Sequence, residues 1–241
     1  MKPLAIDLFC GLGGWTEGLL ALGYRLVGFD IKRHQYGDEK YPADLVLQDV
    51  LTIHGRQFKD AALIVASPPC QAYSYRAMPW KRAKALPPPD NSLFEACFRI
   101  QREASEAAGR KIPMVVENVK GAQKWVGRAK WHFGSFYLWG DVPALMPYTR
   151  RQPKPKVGGF SWSDFGKPGY VPKAFNGEAE RATKENGTKQ GGDWFNASQP
   201  SISRLTSSKS SARKRASAII AKIPLRLSTH IGAAYFPRLR Q

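Results

Sequence analysis

The chain has 241 residues, 43% of them hydrophobic, which is enough to bury a full core in one main domain with an inserted or appended region. Its three cysteines lie far apart and have no disulfide or metal-ligand spacing, so we expect no metal site and a reducing cytoplasm. No apolar run is long enough to span a membrane, and we expect neither a signal peptide nor membrane association.

The charge is distributed unevenly along the chain. In total, 37 Lys and Arg residues stand against 19 Asp and Glu, a formal net charge of +18. Residues 1–146 hold 19 basic and 14 acidic side chains, whereas residues 147–241 hold 18 basic and 5 acidic ones. A basic half beside a nearly balanced half is typical of a polyanion-binding surface attached to a core, although a solvated tail would give the same charge.

The first predicted strand, near residues 4–9, leads into a glycine-rich turn that contains Gly11, Gly13 and Gly14. Glycines at such a turn let the backbone approach a nucleotide-like ligand. After a helix, a second strand over residues 25–30 ends in Asp30. Its separation from the glycine turn is the one at which an acidic residue binds the ribose of a bound dinucleotide. The glycines do not complete the dinucleotide-binding pattern, so the turn alone indicates a nucleotide site only weakly.

Strands and helices continue to alternate through the first 146 residues. Further strands are predicted near residues 44–47, 62–66, 113–117 and 135–139, with an amphipathic helix over about 91–108 that turns Cys97 inward. This alternation predicts a doubly wound, mostly parallel α/β sheet.

The apolar run 62–66 stops at Pro68-Pro69-Cys70-Gln71. Open α/β sheets place ligand-handling residues at the carboxyl ends of their strands, and two prolines restrict the backbone there. A thiol held in this way can act as a nucleophile, whereas a lone cysteine is more often a small buried side chain. The strand over residues 113–117 likewise ends in an acid, Glu117, followed by Asn118.

In chain order these segments resemble the cytosine-5 DNA methyltransferase family. Asp7-Leu8-Phe9-Cys10-Gly11-x-Gly13-Gly14 is similar to its cofactor motif, Pro69-Cys70-Gln71-x-x-Ser74 to its catalytic loop, and Glu117-Asn118-Val119 to its base-recognition motif. The resemblance covers residues 4–140, with a fainter match near the end of the chain. It implies a Rossmann-like fold and S-adenosylmethionine as the methyl donor.

The resemblance also implies roles for individual residues. Cys70 would be the nucleophile and Glu117 would hold the edge of the cytosine. The family's Gln-x-Arg-x-Arg segment is missing, and Arg128 is our candidate for its base-contacting arginine, while His132 is interpreted as structural. The implied cofactor contacts are Phe9, Gly11, Gly13, Asp30, Ile31, Asp49, Val50 and Pro69, and the implied substrate contacts are Gln71, Ser74 and Asn118.

Three regions are expected: a catalytic core (1–146), a short target-recognition region (147–206) and C-terminal helices that return to the core (207–241). In the second region basic residues alternate with aromatic ones, and Arg150, Arg151 and Lys154 are predicted to contact the DNA backbone. Near the end of the chain, Ala233 stands where the family has an asparagine in its cofactor pocket.

The function predicted from the sequence is DNA cytosine-5 methylation through a covalent Cys70 adduct with a cytosine flipped out of double-stranded DNA. Two alternatives stay open: a tRNA or RNA cytosine-5 methyltransferase of the same fold, and a nucleic-acid-binding protein that has lost catalysis. We expect a monomer, and a paired restriction endonuclease is a candidate partner.

Overall fold

The computed structural model describes residues 2–74, 86–147, 214–215, 218–219 and 221–237. The chain divides into two compact units, Met1–Pro147 with Lys222–Gln241, and Tyr148–Ala221. In the second unit, the described residues 214–215, 218–219 and 221 are helical. All elements named below belong to the first unit.

Nine strands and four helices make up the described part of the first unit. The strands are β1 (Leu4–Leu8), β2 (Arg25–Asp30), β3 (Gln35–Tyr36), β4 (Glu39–Lys40), β5 (Asp44–Leu47), β6 (Ala61–Ala66), β7 (Met114–Asn118), β8 (Trp131–Phe133) and β9 (Phe136–Gly140). The helices are α1 (Gly14–Ala21), α2 (Ser92–Ala108), α3 (Gln123–Val126) and α4 (Leu225–Tyr235), with short 3-10 helices at Val50–Thr52, Gly55–Phe58 and Lys120–Ala122.

Seven strands form one sheet in the order β5-β2-β1-β6-β7-β9-β8, and β3 and β4 form a separate hairpin. The five strands from β5 to β7 pair in parallel, while β9 runs antiparallel to both of its neighbours. The predicted doubly wound, mostly parallel sheet is therefore confirmed. Strand β8 and the β3–β4 hairpin were not predicted.

Helices cover both faces of the sheet, because parallel strands are buried on both sides. Successive residues of β1 enter different cores: Ala5 packs with the residues of α1 and α4, whereas Ile6 packs with those of α2. Cys97 is completely buried in the α2 core, as predicted. None of the helices in the described ranges is long and apolar enough to cross a bilayer.

The C-terminal segment is part of this core because two glycines let it approach α1 closely. A Cβ atom at Gly14 would lie 2.3 Å from the Ile223 nitrogen, and one at Gly18 would lie 2.1 Å from Ser228 Oγ. The hydroxyl of Tyr24 donates to the carbonyl of Gly232 at 2.9 Å. The chain therefore returns to the glycine turn that begins α1.

Candidate active site

The turn after β1 has a strained backbone. Among the described residues other than glycine, only Phe9 has a positive φ, 58°, and Gly11 and Gly13 follow with φ of 51° and 78°. A bulky residue in this region costs on the order of 1–3 kcal/mol, and such strain clusters at functional sites. The Gly13 nitrogen donates to the Cys10 carbonyl at 2.7 Å and closes the turn. A Cβ at Gly11 would meet no atom within 4 Å, so the space beside this turn is open.

Asp30, at the end of β2, is fixed beside this turn. Its Oδ2 accepts from the Gly11 nitrogen at 3.0 Å, its Oδ1 accepts from the Lys32 nitrogen at 3.3 Å, and His34 Nε2 lies 3.6 Å from Oδ1. Burial raises the pKa of Asp30, but the hydrogen bond from His34 and those from the two backbone nitrogens outweigh it and lower the pKa. The site thus keeps an ionised acceptor next to an open turn.

The end of β5 brings a second acid to the same edge of the sheet, by which we mean the edge formed by the carboxyl ends of the parallel strands. The Gln48 nitrogen donates to the Asp30 carbonyl at 2.9 Å. This hydrogen bond holds the end of β5 beside the end of β2, so the half-buried Asp49, the next residue, lies near Asp30. Asp49 Oδ1 accepts from the Leu51 nitrogen at 2.9 Å and caps a 3-10 helix in which Val50 is buried. Ile31 is 72% exposed. An ionised carboxylate can accept hydrogen bonds from sugar hydroxyls, and an exposed aliphatic side chain can cover a flat base, so the chemistry of these residues fits the adenosine part of S-adenosylmethionine.

A buried polar network under the turn was missed by the sequence analysis. Thr16 donates from its hydroxyl to Asp7 Oδ2 at 2.7 Å, and the Thr16 and Tyr41 hydroxyls lie 2.7 Å apart. Asp7 Oδ1 is buried and has no hydrogen-bond partner among the described residues. Burial, opposed by the Thr16 hydrogen bond and assisted by the charge of Asp30, raises the pKa of Asp7 to about 7. The only sequence signal was an acid inside an apolar strand.

Hydrogen bonds from three elements hold the segment that leads to Cys70. The Ser67 nitrogen donates to the Leu8 carbonyl at 3.2 Å, and Trp15 Nε1 of α1 donates to Ser67 Oγ at 3.0 Å. From the other side, Asn118 Nδ2 at the end of β7 donates to the Pro68 carbonyl at 3.0 Å. The segment therefore runs between the glycine turn and the end of β7.

Cys70 is half-buried and stands at the start of a tight turn. The Tyr73 nitrogen donates to the Cys70 carbonyl at 3.0 Å, and the buried Tyr73 hydroxyl donates to Asn91 Oδ1 at 2.9 Å. A Cβ at Gly121 would lie 2.2 Å from the Tyr73 carbonyl oxygen, so a glycine is needed where the segment after β7 passes this turn. Pro69 and Gln71 are exposed, and Ser74 is half-buried.

Glu117 lies in the strand next to the one that precedes Cys70. Strands β6 and β7 pair with Ala66 opposite Val116, and Glu117 follows as a residue that is only 4% exposed. Asn118 is buried and its Oδ1 accepts from the Val119 nitrogen at 2.8 Å. The predicted nucleophile and the predicted base-holding acid are therefore at the same edge of the sheet as the glycine turn.

Arg128, the predicted base-contacting arginine, is not part of this edge. It is exposed, on the segment between α3 and β8, where it lines a separate cleft. Arg150, Arg151 and Lys154 lie outside the described residues. Across the ranges that the structure describes, no three His, Cys, Asp or Glu side chains come together as metal ligands would.

A doubly wound sheet that holds a glycine turn, an acid after the second strand and a cysteine after the fourth parallel strand defines a Rossmann-like methyltransferase. Residues 4–126, half of the chain, match the family model of the C-5 cytosine-specific DNA methylases, and the chain belongs to this family. No curated protein matches it.

Several solved structures are similar to part of the chain. A DNA modification methyltransferase encoded within an E. coli prophage is 23% identical over 52% of this chain and 34% of its own, with a TM-score of 0.37. The S. pombe Dnmt2 methyltransferase is 18% identical over 52% and 36%, with a TM-score of 0.36. The Entamoeba histolytica methyltransferase EhMeth is 18% identical over 52% and 40%, with a TM-score of 0.35. The aligned part of this chain thus spans between 34% and 40% of these structures.

Proposed function

We propose that this protein methylates C5 of cytosine in DNA, with S-adenosylmethionine as the donor and Cys70 as a covalent nucleophile. The observation that supports this most directly is the anchoring of the Cys70 segment. Hydrogen bonds from Trp15 and Asn118 hold it between the turn that fits a cofactor and the strand end that carries Glu117. The two reactants would thus meet at one edge of the sheet.

S-adenosylmethionine, when bound, supplies the methyl group as a sulfonium donor. Asp30 would hold the ribose hydroxyls, and the exposed Ile31 and the half-buried Phe9 would contact the adenine. Gly11 and Gly13 have no side chain and would allow close approach of the methionine part. Both have a positive φ, in which any other residue would be strained, so glycine is favoured at both positions. Asp49, Val50 and Pro69 would complete this part of the site.

The chemistry requires the thiolate because cytosine C5 is a poor nucleophile. Cys70 Sγ attacks C6 of the base and forms an Sγ–C6 bond, while Glu117 holds the N3 and N4 edge and shares a proton with N3. C5 would then take the methyl group, and S-adenosylhomocysteine would leave as the product. A water molecule would accept the C5 proton, and the electrons of the C5–H bond would expel the Cys70 thiolate from C6 and restore the aromatic ring. Covalent catalysis of this kind divides one difficult step into easier ones.

The base must leave the duplex to reach Cys70, at a cost of about a few kcal/mol. We propose that Gln71, Ser74 and Asn118 contact the extruded nucleotide and that Arg128 replaces the missing family arginine. The basic second unit, with Arg150, Arg151 and Lys154, would bind the DNA backbone, for which its charge is suited.

Bisulfite sequencing of DNA from cells that express the protein tests this proposal. Methylated cytosines at a defined sequence are expected with the unmodified chain and none with Cys70→Ala. A matched control is Cys97→Ala, which removes a thiol from the core and should retain activity. Purified protein should also form a denaturant-resistant adduct with DNA that contains 5-fluorocytosine, because fluorine cannot leave as the proton does.

Three outcomes would contradict the proposal. Normal methylation by Cys70→Ala would remove the covalent route. Methylation confined to tRNA or other RNA, with DNA left unmodified, would assign the protein to the RNA-modifying alternative. Binding of nucleic acid and cofactor with no transfer to either would indicate that catalysis has been lost.

A further inference from the structure

The segment between β7 and β9 carries a dense positive charge, of which the proposed function uses only Arg128. From residue 118 to residue 140 there are four Lys or Arg residues and no Asp or Glu. All four are exposed, and among the described residues none of them pairs with a carboxylate: Lys120, Lys124, Arg128 and Lys130. Clustered cations without acidic partners favour a polyanionic ligand.

Two of these cations line a cleft of about 460 Å³ at the outer end of the sheet. Its walls combine positive charge, aromatic rings and one amide: Gln123, Arg128, Lys130, Trp131, His132 and Tyr137. Trp131 is 41% exposed, although a large apolar ring is normally covered. Basic side chains interleaved with rings are the composition of surfaces that bind a nucleic-acid strand by phosphate contact and base stacking.

The aromatic part of the cleft forms a platform, by which we mean the exposed His132 ring supported by the ring of Tyr137. His132 on β8 and Tyr137 on β9 are cross-strand partners, and their rings stack with centroids 5.1 Å apart and planes 19° apart. His132 Nδ1 donates to the Gly134 carbonyl at 3.2 Å, which fixes the histidine ring. The face of such a pair can accept one more aromatic ring, and every nucleobase has one.

The basic part of the cleft is equally well fixed. Trp139 Nε1 donates to the Gly127 carbonyl at 2.9 Å, and the Ala129 nitrogen donates to Gln123 Oε1 at 3.2 Å. The Lys130 nitrogen donates to the Leu138 carbonyl at 2.9 Å and continues the ladder of the hairpin. The backbone that carries Arg128 and Lys130 is thus held before any ligand binds, which reduces the ordering cost of binding.

The register of the sheet relates this platform to the proposed active site. Asn118 on β7 is opposite Tyr137 on β9, which is opposite His132 on β8. Residues opposite each other in antiparallel strands project to the same face, and two strand spacings amount to about 10 Å. The platform therefore lies on the same row as Asn118, whose amide anchors the segment before Cys70. One or two nucleotides of an extended strand bridge this distance.

We propose that the cleft is a binding site for a nucleotide that flanks the target cytosine on the DNA strand. The flanking base would stack on the exposed face of the His132 ring, which Tyr137 supports from the other side, and its phosphate would be neutralised by Lys130. This inference rests on the proposed function for the identity of the strand. It assigns His132 a binding role in place of the purely structural one expected from the sequence.

Photocrosslinking tests the site directly. Duplexes and single strands with 5-iododeoxyuridine at successive positions beside a cytosine should crosslink to the peptide that contains residues 131–137. In binding assays His132→Ala should weaken DNA binding about 5- to 150-fold with an unchanged salt dependence, because stacking is lost. His132→Phe, which keeps a ring, should restore the binding.

Charge reversal separates the phosphate contact from stacking. Lys130→Glu should weaken binding and reduce the slope of log affinity against log salt by about one, since one phosphate contact is lost. Lys59→Glu is the matched control, because Lys59 is exposed and lies just before the amino end of β6, whereas the proposed active site lies at the carboxyl ends of the strands. All variants should bind S-adenosylhomocysteine as the unmodified protein does.

The outcomes distinguish failure of this inference from failure of the proposed function. If the protein methylates DNA but both cleft variants bind like the unmodified chain, the inference is overturned and the function stands. If no methylation occurs while crosslinks still map to residues 131–137, the site stands and the function falls. Crosslinks to RNA alone, or crosslinks confined to other peptides, would overturn the assignment to DNA or the site itself.

Discussion

The strands from β1 to β5 and the strands β6 and β7 hold their functional side chains in different ways. In the first group, which we call the cofactor half, hydrogen bonds hold the acidic side chains in place. Asp30 accepts from two backbone nitrogens, and the buried Asp7 belongs to a network of hydroxyls. In the second, the base half, the Cys70 segment is held at its start, and Pro69 and Gln71 beyond it are exposed. Side chains that hydrogen bonds fix before binding, as in the cofactor half, suit a small cofactor. Residues that are exposed, as in the base half, suit a large substrate.

The largest effect should come from Asp7, deep in the cofactor half. A pKa raised from 3.8 to about 7 corresponds to about 4 kcal/mol. Between pH 4 and 7 the unfolded chain loses this proton while the folded protein keeps it, so the free energy of unfolding contributed by Asp7 falls as the pH rises. Asp7→Asn should remove this fall, as measured by urea unfolding across that range.

Asp38→Asn is the control for this series because Asp38 is exposed in the β3–β4 turn. A difference in unfolding free energy between Asp7→Asn and the unmodified protein that stays constant from pH 4 to 7 would contradict the prediction. It would also remove the contrast between a buried acid network and an accessible base half.

A smaller effect is expected at Asp30, the acid of the cofactor half that faces the ligand. Asp30→Ala removes the acceptor for the Gly11 nitrogen and the proposed ribose contact, and should weaken S-adenosylhomocysteine binding by about 1–3 kcal/mol. Asp30→Asn keeps the acceptor for Gly11 and should lose less. Calorimetry measures both, and equal affinities for all three proteins would exclude Asp30 from the cofactor site.

The smallest effect is expected at Asn118, which anchors the base half. Asn118→Ala removes the hydrogen bond to the Pro68 carbonyl and the one from the Val119 nitrogen, each worth about 1 kcal/mol, and should slow methyl transfer while leaving cofactor affinity unchanged. Asn118→Asp keeps the acceptor for the Val119 nitrogen but places a buried carboxylate against the Pro68 carbonyl, so it should slow transfer further. A loss of cofactor affinity in either variant would show that the two halves are not independent.

The sheet could be predicted from the sequence because its parallel strands are continuous apolar runs between helices. Strand β8 escaped prediction because it is three residues long, follows a basic turn and exposes two of its side chains. Its existence depends on pairing with β9, a tertiary interaction that no local pattern reveals. The same holds for β3 and β4, which have two residues each.

The candidate site was predictable only where motifs are local. The glycine turn and the Cys70 segment follow apolar strands, and Glu117 lies near the end of one, so the fold class alone places them at one edge. The contacts of Asp7 could not be predicted, because Thr16 and Tyr41 reach it only after α1 and the segment before β5 have packed together. Nor does the sequence show that His132 and Tyr137 stack, since their pairing depends on the hairpin register.

The packing of α4 on α1 determines when this protein can finish folding during its synthesis. Trp15 and Leu19 share a core with Leu227 and Ile231, and the hydrogen bond from Tyr24 to Gly232 joins residues 208 apart in sequence. At ribosomal rates of about 5–20 residues per second, that separation takes roughly 10–40 s to translate. During this interval the apolar residues that α4 covers in the folded protein stay exposed. Chaperones that bind apolar surface would have their longest opportunity to act on it then.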